Sequence, residues 1–416
     1  MRLLIVSQYF WPENFRVNDL VGALVERGHQ VTVLTGEPNY PDGRIFPEYA
    51  ANPEDFTVFE GAEVVRVPLL PRGRGAARLA LNYLSFVVSA CVAAPWRLRD
   101  REFDVIFVYQ PSPITSCLPA ILLGRLKAVP VILWTLDLWP ETLKVIGIIR
   151  SPYLLGAVGV MVSFIYRNCS LVLGGSRAFE LSVRRYAGSV TKYRYFPQWS
   201  EELFEENGAL PEIAPEVRPF IDTFNVLFAG NIGDAQDFPA ILEAAVLLRA
   251  DRRIRWLIVG DGRAADWVRA EIVAKGLEET VVMLGRHPIE RMPSFFVVAG
   301  ALLVSLRRDP VFAMTIPGKV QTYLAAGRPI VGMLDGEGGR VIAESGAGFV
   351  APSGDSVGLA AAVQRLAGMS EAERREMGER GRLYASLEFG RESLLTQLDI
   401  FMTQVRDGVE VPHDHV

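Results

Sequence analysis

The sequence predicts an α/β protein made of two similar halves, each a parallel sheet covered by helices. Three observations support this: the chain has 416 residues, half of them are hydrophobic, and short apolar runs alternate with stretches of helical spacing. At roughly 100–200 residues per domain, the length suggests two domains, each large enough for its own core. Apolar strands separated by helices are typical of a parallel sheet buried on both faces.

The first half begins with an apolar run at 3–7, which is too short for a signal peptide and is followed at once by Trp11, Pro12 and Glu13. We therefore interpret it as a buried first strand. A helical pattern follows at 17–27, and Gly28 ends it. Later apolar runs predict further strands at 31–35, 64–67, 105–109, 131–135 and 171–173.

The second half repeats this alternation after a segment at 199–222 that is rich in proline and acidic residues, including Glu201, Glu205 and Glu206. We place the domain boundary there, with domains at 1–200 and 201–385. Strands are predicted at 225–229, 256–259, 281–284, 301–304, 330–333 and 348–350. Helices are predicted at 239–249, 264–275, 288–298, 319–326 and 356–367.

Charge and cysteine content narrow the class of protein. A net charge of −5 argues against a nucleic-acid partner. Cys91, Cys117 and Cys169 form no CxxC pair, which fits a reduced compartment and gives no zinc or disulfide signal. His413 and His415 lie in a polar tail, and their setting favours a solvated tail over a metal site.

An apolar stretch at 79–96 is flanked by arginines on both sides. Its length is marginal against the ~20 residues of a membrane span, and it contains Asn82, Ser85 and Ser89. Two alternatives remain open, a buried helix of the first domain and a helix lying on a membrane surface with its arginines at anionic head groups. The second predicts a membrane contact through residues 72–101, with the flanking arginines Arg72, Arg74, Arg78, Arg97, Arg99 and Arg101.

Two glycine turns follow strands of the second half. Gly230 and Gly233 precede a predicted helix, and such a turn lets a phosphate approach backbone N–H groups and a helix dipole. A tight turn without a ligand is the alternative. For the turn at Gly260 and Gly262 we favour a structural role, with ligand contact as the alternative.

A loop from Thr315 to Gly318 leads into a predicted helix that Lys319 opens. A lysine beside unpaired helix N–H groups suits a diphosphate, and a solvated lysine is the alternative. Three arginines follow two of the predicted strands and could add positive charge at the site. No Asp-x-Asp pair lies near them, so we do not predict a bound metal. These arginines are Arg286, Arg307 and Arg308. His287, directly after Arg286, could contact the base of a nucleotide.

The first half places two carboxylates, Asp137 and Glu141, among aromatic residues after a strand. Aromatic rings stack on sugars, and a carboxylate can bind sugar hydroxyls or act as a base. A capped helix beginning at Asp137 is the alternative. The loops 9–14, 38–43 and 110–112 also follow strands. Ligands of such sheets bind beyond the carboxyl ends of the strands, so we predict a site in a cleft between the halves.

Taken in order, seven motifs resemble the retaining glycosyltransferases of GT-B fold, family 4, and within them the WbuB-like branch, which acts in O-antigen, capsule and exopolysaccharide assembly. The resemblance covers nearly the whole chain. Its motifs lie at 9–13, 38–41, 137–141, 230–233, 260–262, 317–319 and 325–329.

The resemblance implies two Rossmann-like domains and a C-terminal helix at 386–405 that returns to the first domain. It implies transfer, with retention and without a metal or other cofactor, from a nucleotide-sugar bound by the second half. The donor would be UDP-linked, with an N-acetylated amino sugar among the candidates. The acceptor would be an undecaprenyl-diphosphate-linked saccharide bound by the first half, at the cytoplasmic face of the inner membrane.

Carried over residue by residue, the resemblance assigns catalysis to Asp137, Glu141 and Lys319. The donor residues are Gly230, Asn231, Gly233, Gln236, Gly260, Arg286, Arg307, Thr315 and Lys319.

The sequence departs from the family at three places. Asn231 and Gln236 replace an Arg and a Lys, Met314 and Thr322 replace two glutamates, and Leu136 replaces an acceptor histidine. Lys319 with Arg307 or Arg308 could compensate for the charge, and backbone N–H groups at 313–316 could hold the donor sugar.

Two other functions stay open at this point. A nucleotide-sugar epimerase shares the fold but usually needs acid–base side chains that are scarce here. A non-catalytic homologue acting as a scaffold would fit the lost glutamates. A dinucleotide oxidoreductase is disfavoured because no Gly-x-Gly-x-x-Gly follows the first strand.

Overall fold

The computed structural model of the protein describes residues 1–73, 75–188, 192–200, 202–204, 211–409 and 411. The chain packs as two units, one of residues 1–196 with 395–416 and one of residues 197–394. The predicted boundary follows residue 200. Several residues used in the predictions lie outside the described ones: Arg74, Glu201, Glu205, Glu206, His413 and His415.

The first unit contains a sheet with the strand order β3-β4-β2-β1-β5-β6-β7-β8. Its strands run parallel except for the β3–β4 pair, which is antiparallel. The strands are β1 (Arg2–Val6), β2 (Gln30–Gly36), β3 (Val58–Phe59), β4 (Ala62–Val67), β5 (Val105–Gln110), β6 (Val131–Thr135), β7 (Leu171–Gly174) and β8 (Tyr193–Tyr195).

Helices connect these strands. They are α1 (Arg16–Glu26), α2 (Pro47–Ala51), α3 (Ala76–Arg97), α4 (Cys117–Lys127), α5 (Glu141–Val145), α6 (Pro152–Asn168) and α7 (Phe179–Ala187). Helix α3 packs on α4, α4 on α6, and α6 on α7. Because parallel crossovers are right-handed, the helices leading from β4 towards β8 share one face of the sheet and α1 lies on the other.

The second unit contains a fully parallel sheet with the order β11-β10-β9-β12-β13-β14. Its strands are β9 (Phe224–Ala229), β10 (Ile254–Val259), β11 (Val281–Gly285), β12 (Ala299–Ser305), β13 (Ile330–Met333) and β14 (Gly348–Ala351). Its helices are α8 (Phe238–Leu248), α9 (Ala265–Ala274), α10 (Met292–Phe296), α11 (Pro310–Ala313), α12 (Gly318–Ala325), α13 (Glu337–Glu344), α14 (Ser356–Gly368) and α15 (Glu371–Glu388).

The last helix, α16 (Arg391–Arg406), belongs to the first unit from Leu395 onwards. Asp399 on this helix accepts from Arg27 Nη1 at 2.9 Å, and its other oxygen lies 2.9 Å from His29 Nε2. His29 also lies 3.2 Å from the N-terminal amine of Met1. His29 therefore fixes the start of β2 to α16.

The predicted strands are all present, with ends shifted by at most two residues. The predicted helix at 288–298 is shorter, because a 3-10 turn at Ile289–Arg291 precedes α10 and Pro293 sits in the first turn of that helix. Helix α15 escaped prediction. Its buried face is made largely of Gly378, Gly381 and Ala385, so it lacks an apolar stripe.

Helix α3 is only partly buried. Only 22% of its most apolar part is buried, so the prediction that it is a buried helix of the first domain is wrong. It is also long and apolar enough to cross a membrane. Its outward face exposes apolar side chains at helical spacing, namely Leu81 (51% exposed), Leu84 (58%), Val88 (53%), Val92 (70%) and Trp96 (74%).

The inward face of α3 is fixed by Asn82, which is fully buried. Asn82 Oδ1 accepts from Gln8 Nε2 at 2.8 Å and from Tyr9 Oη at 3.2 Å. Its Nδ2 donates to the Leu70 carbonyl at 2.7 Å. These bonds join α3 to the carboxyl end of β1 and to the chain that follows β4.

Replacement of Asn82 by Ala should lower the free energy of unfolding by about 2–4 kcal/mol, because buried polar partners lose their hydrogen bonds. Urea denaturation followed by tryptophan fluorescence measures the change. Ser89→Ala, in the same helix, is the control and should shift it by less than about 0.5 kcal/mol. Equal stability of Asn82→Ala and the wild type would contradict this role.

Candidate active site

A cavity of about 590 Å³ lies in the second unit at the carboxyl ends of β9, β10 and β11. Three loops after these strands form one wall, and the start of α12 forms another. Of the predicted donor residues, the structure brings together Gly230, Asn231, Gly260, Arg286 and Lys319 around this cavity.

Glycines allow the two loops after β9 and β10 to touch. A Cβ atom on Gly260 would lie 1.9 Å from the Gly230 carbonyl oxygen, and one on Gly262 would lie 2.2 Å from the Ile232 carbonyl oxygen. Gly230 and Gly260 also have backbone φ values of 133° and 145°, which residues with a Cβ atom rarely adopt. The turn at Gly260 therefore has the structural role predicted for it and also borders the cavity.

Lys319 extends from the first turn of α12 across Gly230. A Cβ atom on Gly230 would lie 2.7 Å from Lys319 Cε, so only glycine leaves room for this side chain. The Lys319 Nζ lies 3.5 Å from the centroid of the Phe228 ring, which is a cation–π contact. The predicted alternative of a solvated lysine is thereby wrong.

The ammonium of Lys319 has no carboxylate partner among the described residues. Burial alone lowers its pKa to about 7. A buried cation without a counter-charge is costly, and an anionic ligand at this position would remove that cost. The cavity is thus suited to a phosphate group.

Several residues of the cavity were not predicted. Thr322 and Tyr323 lie three and four positions after Lys319, so all three share one face of α12. The Tyr323 hydroxyl accepts from the Ala229 N–H at 3.0 Å and holds the end of β9 in place. The spacing of three and four residues from Lys319 was the sequence signal that could have identified Thr322 and Tyr323 as residues of the cavity.

His287 also borders the cavity, and its surroundings fix its ring. Its Nε2 lies 3.0 Å from the Leu284 carbonyl oxygen and its Nδ1 lies 2.9 Å from Arg291 Nη1. Arg291 in turn pairs with Glu216 at 2.8 Å. Both ring nitrogens are thus engaged and the ring is held in one orientation, while its contact with a nucleotide base stays a prediction.

Four predicted donor residues do not border the cavity. The side chains of Gln236 and Thr315 bind nearby backbone, because Gln236 Oε1 accepts from the Gly233 N–H at 3.2 Å and the Thr315 hydroxyl donates to the Val311 carbonyl at 3.0 Å. Gly233 is buried in that turn. Arg307 is exposed, and its guanidinium lies 5.8 Å from the Phe312 ring centroid.

Arg308, the other arginine considered, lies elsewhere as well. Its Nη2 donates to the Ser353 carbonyl at 3.2 Å, and its Nε lies 3.6 Å from Asp335 Oδ2. Its charge is therefore partly neutralised. Arg286 remains as the second cation at the cavity.

The first unit holds Asp137 just after β6. Its Oδ2 accepts from Trp139 Nε1 at 3.1 Å, and burial raises the pKa of the carboxyl group. The Trp139 ring lies 6.3 Å from that of Tyr83 on α3. Helix α5 begins at Glu141, so the alternative of a helix capped by Asp137 is wrong.

Glu141, the second predicted carboxylate, is directed towards α7, where its Oε1 accepts from the Ser182 hydroxyl at 2.9 Å. Its other oxygen, Oε2, is buried and has no hydrogen-bond partner among the described residues. The contact with Ser182 links α5 to α7, and the catalytic role of Glu141 stays a prediction.

The loops 9–14 and 38–43 meet at the buried carboxylate of Glu13. This group accepts from the N–H groups of Phe10 (3.0 Å), Asn39 (2.8 Å) and Tyr40 (2.7 Å), and burial raises its pKa. The rings of Tyr9, Phe15 and Tyr40 pack together beside it, with centroids 5.1–5.5 Å apart. The first unit thus presents aromatic rings near the ends of β1 and β2.

No group of three His, Cys, Asp or Glu side chains that could hold a metal occurs within the described parts of the chain. Independence from a metal stays a prediction.

Two family models match the chain. One, described as a glycosyl transferase 4-like domain, matches residues 14–199, and the other, described as glycosyl transferases group 1, matches residues 223–368. Together they cover both units.

Two curated relatives are similar over most of their length. WcaI of Escherichia coli K12, which carries the name of a colanic acid biosynthesis glycosyl transferase, is 25% identical over 342 residues, 79% of this chain and 82% of its own. WbjE of Pseudomonas aeruginosa, which carries the name of a glycosyltransferase, is 25% identical over 318 residues, 72% of each chain.

Among solved structures, HepE of Anabaena in complex with UDP and glucose matches with a TM-score of 0.66 and 15% identity, over 97% of this chain and 99% of its own. This likeness, with the two parallel sheets, shows a GT-B fold and confirms the predicted fold class.

Replacement of Lys319 by Met should stabilise the unliganded protein, because it removes a desolvated charge that has no carboxylate partner among the described residues. Because burial lowers the pKa of Lys319 to about 7, the penalty is full below pH 7 and decreases as the pH rises towards the unfolded value of about 10.5. We expect the melting temperature to rise by about 2–4 °C at pH 6, and by less at pH 9.

Thermal denaturation at both pH values measures this effect. Lys275→Met is the control, since Lys275 pairs with Glu243 at 2.6 Å and its loss should not raise the melting temperature. A lower melting temperature of Lys319→Met at pH 6 would contradict the uncompensated charge.

Proposed function

We propose that this glycosyltransferase belongs to the GT-B family 4 class, as its matches in both units support, and that it moves a sugar, with retention, from a nucleotide-sugar to a lipid-diphosphate-linked saccharide. The donor we propose is UDP-linked, with N-acetylated amino sugars among the candidates. The product would belong to O-antigen, capsule or exopolysaccharide assembly, as in the WbuB-like branch. The colanic acid name of WcaI supports a role in polysaccharide synthesis.

The observation that carries the donor part of this proposal is Lys319 at the glycine-lined cavity. Its charge, Arg286 and the free N–H groups at the start of α12 together suit a diphosphate. His287 and the apolar residues of the cavity, including Met292 and Phe296, would hold the base and ribose. HepE, of the same fold, binds UDP in its solved structure.

In the proposed reaction the acceptor hydroxyl oxygen bonds to the anomeric carbon as the bond to the leaving diphosphate breaks on the same face. The proton of the hydroxyl passes to a diphosphate oxygen, and Lys319 stabilises the negative charge that develops there. Asp137 orients the acceptor hydroxyl. No metal takes part in this proposal.

The acceptor part of the proposal depends on the exposed face of α3. Its apolar stripe is flanked by Arg78, Arg97 and Arg99, an arrangement typical of helices that lie on anionic membranes. Helix α6, on the same face of the sheet, adds further exposed apolar side chains, namely Tyr153, Leu154, Val160 and Phe164. We propose peripheral binding at the cytoplasmic face of the inner membrane.

Replacement of Lys319 by Ala should abolish sugar transfer, with a loss of at least about a hundredfold, because the leaving diphosphate loses its main cation. A thermal-shift screen of nucleotide-sugars finds the donor, since a bound ligand raises apparent stability. Transfer to an undecaprenyl-diphosphate-linked saccharide then gives the rate.

The control for this experiment is Lys275→Ala, a lysine of the same unit that lies outside the cavity. It should transfer at the wild-type rate. Near-normal turnover of a folded Lys319→Ala protein would refute the diphosphate role, and a flat thermal response to all nucleotide-sugars would count against the proposed donor.

A double substitution on α3, Val88→Glu with Val92→Glu, should weaken binding to vesicles of phosphatidylethanolamine and phosphatidylglycerol by about tenfold or more. The added carboxylates would enter the apolar region and repel anionic head groups. Vesicle co-sedimentation measures the affinity.

The matched control is Leu247→Glu with Val273→Glu, two side chains of the second unit that are similarly exposed, at 54% and 64%. Its vesicle binding should equal that of the wild type. Equal binding by the α3 variant would refute the membrane contact.

A further inference from the structure

Arg72 lies in the first unit, four residues before the start of α3. Its backbone N–H donates to Asn39 Oδ1 at 2.8 Å, which joins the chain before α3 to the loop that follows β2. Its guanidinium lies over the Tyr40 ring, with Cζ 5.3 Å from the ring centroid. The residue is half-buried, and no carboxylate of the described residues forms an ion pair with it.

Two tyrosine hydroxyls lie within reach of this charge. Burial raises the pKa of Tyr9 and of Tyr83, and the positive charge of Arg72 opposes that rise in both. The Asp137 carboxylate acts on the same Tyr83 hydroxyl. The Tyr83 ring lies 6.3 Å from that of Trp139, whose Nε1 donates to Asp137 Oδ2 at 3.1 Å, so the charges of Arg72 and of Asp137 both act on the surroundings of Tyr83.

The chain leads from Arg72 directly into the apolar face of α3. Leu81, Leu84 and Val88 are all more than half exposed along that face. A ligand with a phosphate on Arg72 would thus lie beside the start of the apolar face of α3, in the unit that also carries the Asp137 carboxylate. These groups suit the three chemical parts of a lipid-diphosphate-linked sugar: hydroxyls, phosphates and hydrocarbon.

We propose that Arg72, supported by the Tyr40 ring, binds the phosphate groups that join the acceptor saccharide to its lipid. This inference rests on the proposed function and adds a binding residue to it. Arginine suits the task, because its planar guanidinium donates two parallel hydrogen bonds to a phosphate and keeps its charge on an aromatic face.

Binding of geranyl diphosphate tests this role without a bilayer. The full-length protein carries Lys319→Ala, which removes the diphosphate site of the second unit, and is compared with and without Arg72→Ala by calorimetry. We expect Arg72→Ala to raise the Kd about 10- to 100-fold, as for a lost hydrogen bond to a charged group.

The matched control is Arg185→Ala, which removes another guanidinium that lies over a tyrosine ring of the first unit, 5.6 Å from the Tyr186 centroid. Its Kd should not change. A second variant, Arg72→Lys, keeps the charge without the planar fork and should lose only part of the affinity. Equal Kd values for Arg72→Ala and its parent, or no binding by the parent, would overturn the inference.

Bilayer head groups also carry phosphates, so the same variants are tested on phosphatidylglycerol vesicles. We expect Arg72→Ala to bind them as the wild type does. A loss of vesicle binding with unchanged affinity for geranyl diphosphate would assign Arg72 to the membrane surface and overturn the inference.

The transfer assay separates this inference from the proposed function. If the wild type transfers sugar but Arg72→Ala leaves the Kd for geranyl diphosphate unchanged, only the inference fails. If the wild type transfers no sugar to a lipid-diphosphate acceptor from any nucleotide-sugar, the proposed function fails, and the binding comparison still reports on Arg72.

Discussion

The donor half of the molecule depends on one constraint, the passage of Lys319 over a residue without a side chain. The ammonium reaches the Phe228 ring only because Gly230 has no Cβ, and Gly230 in turn lies against Gly260. Three positions in separate elements must therefore agree before the cation can stand at the cavity. A methyl group at either glycine would displace a carbonyl or the lysine itself.

The fold could be predicted from the sequence because strands of a parallel sheet that is buried on both faces consist of continuous runs of apolar residues. The two glycine turns and Lys319 could be found for a similar reason, since glycine at a strand end and lysine at a helix start are local signals. The prediction was less accurate for polar side chains that form hydrogen bonds with the nearby backbone. Gln236 and Thr315 carry polar groups beside a phosphate-type loop, but each satisfies a nearby backbone group instead.

Helix α3 shows why the apolar segment was ambiguous in the sequence. Asn82 looks like a polar interruption, yet it is the most buried polar group of the helix and fixes its inward face. Composition alone cannot tell which face of such a helix is covered. The neighbouring tertiary contacts, with Gln8 and the Leu70 carbonyl, decide it.

The four substitutions in the cation and carboxylate positions of the family pattern balance in charge. Two cations of the pattern are replaced by Asn231 and Gln236, and two carboxylates are replaced by Met314 and Thr322. Equal numbers of positive and negative groups are lost, so the net charge of the four positions is unchanged, and two of these positions, Asn231 and Thr322, border the cavity. Thr322 lies at that cavity and brings no charge to it. In the proposed donor complex, Lys319 and Arg286 would therefore be the two cations that face the diphosphate at the cavity.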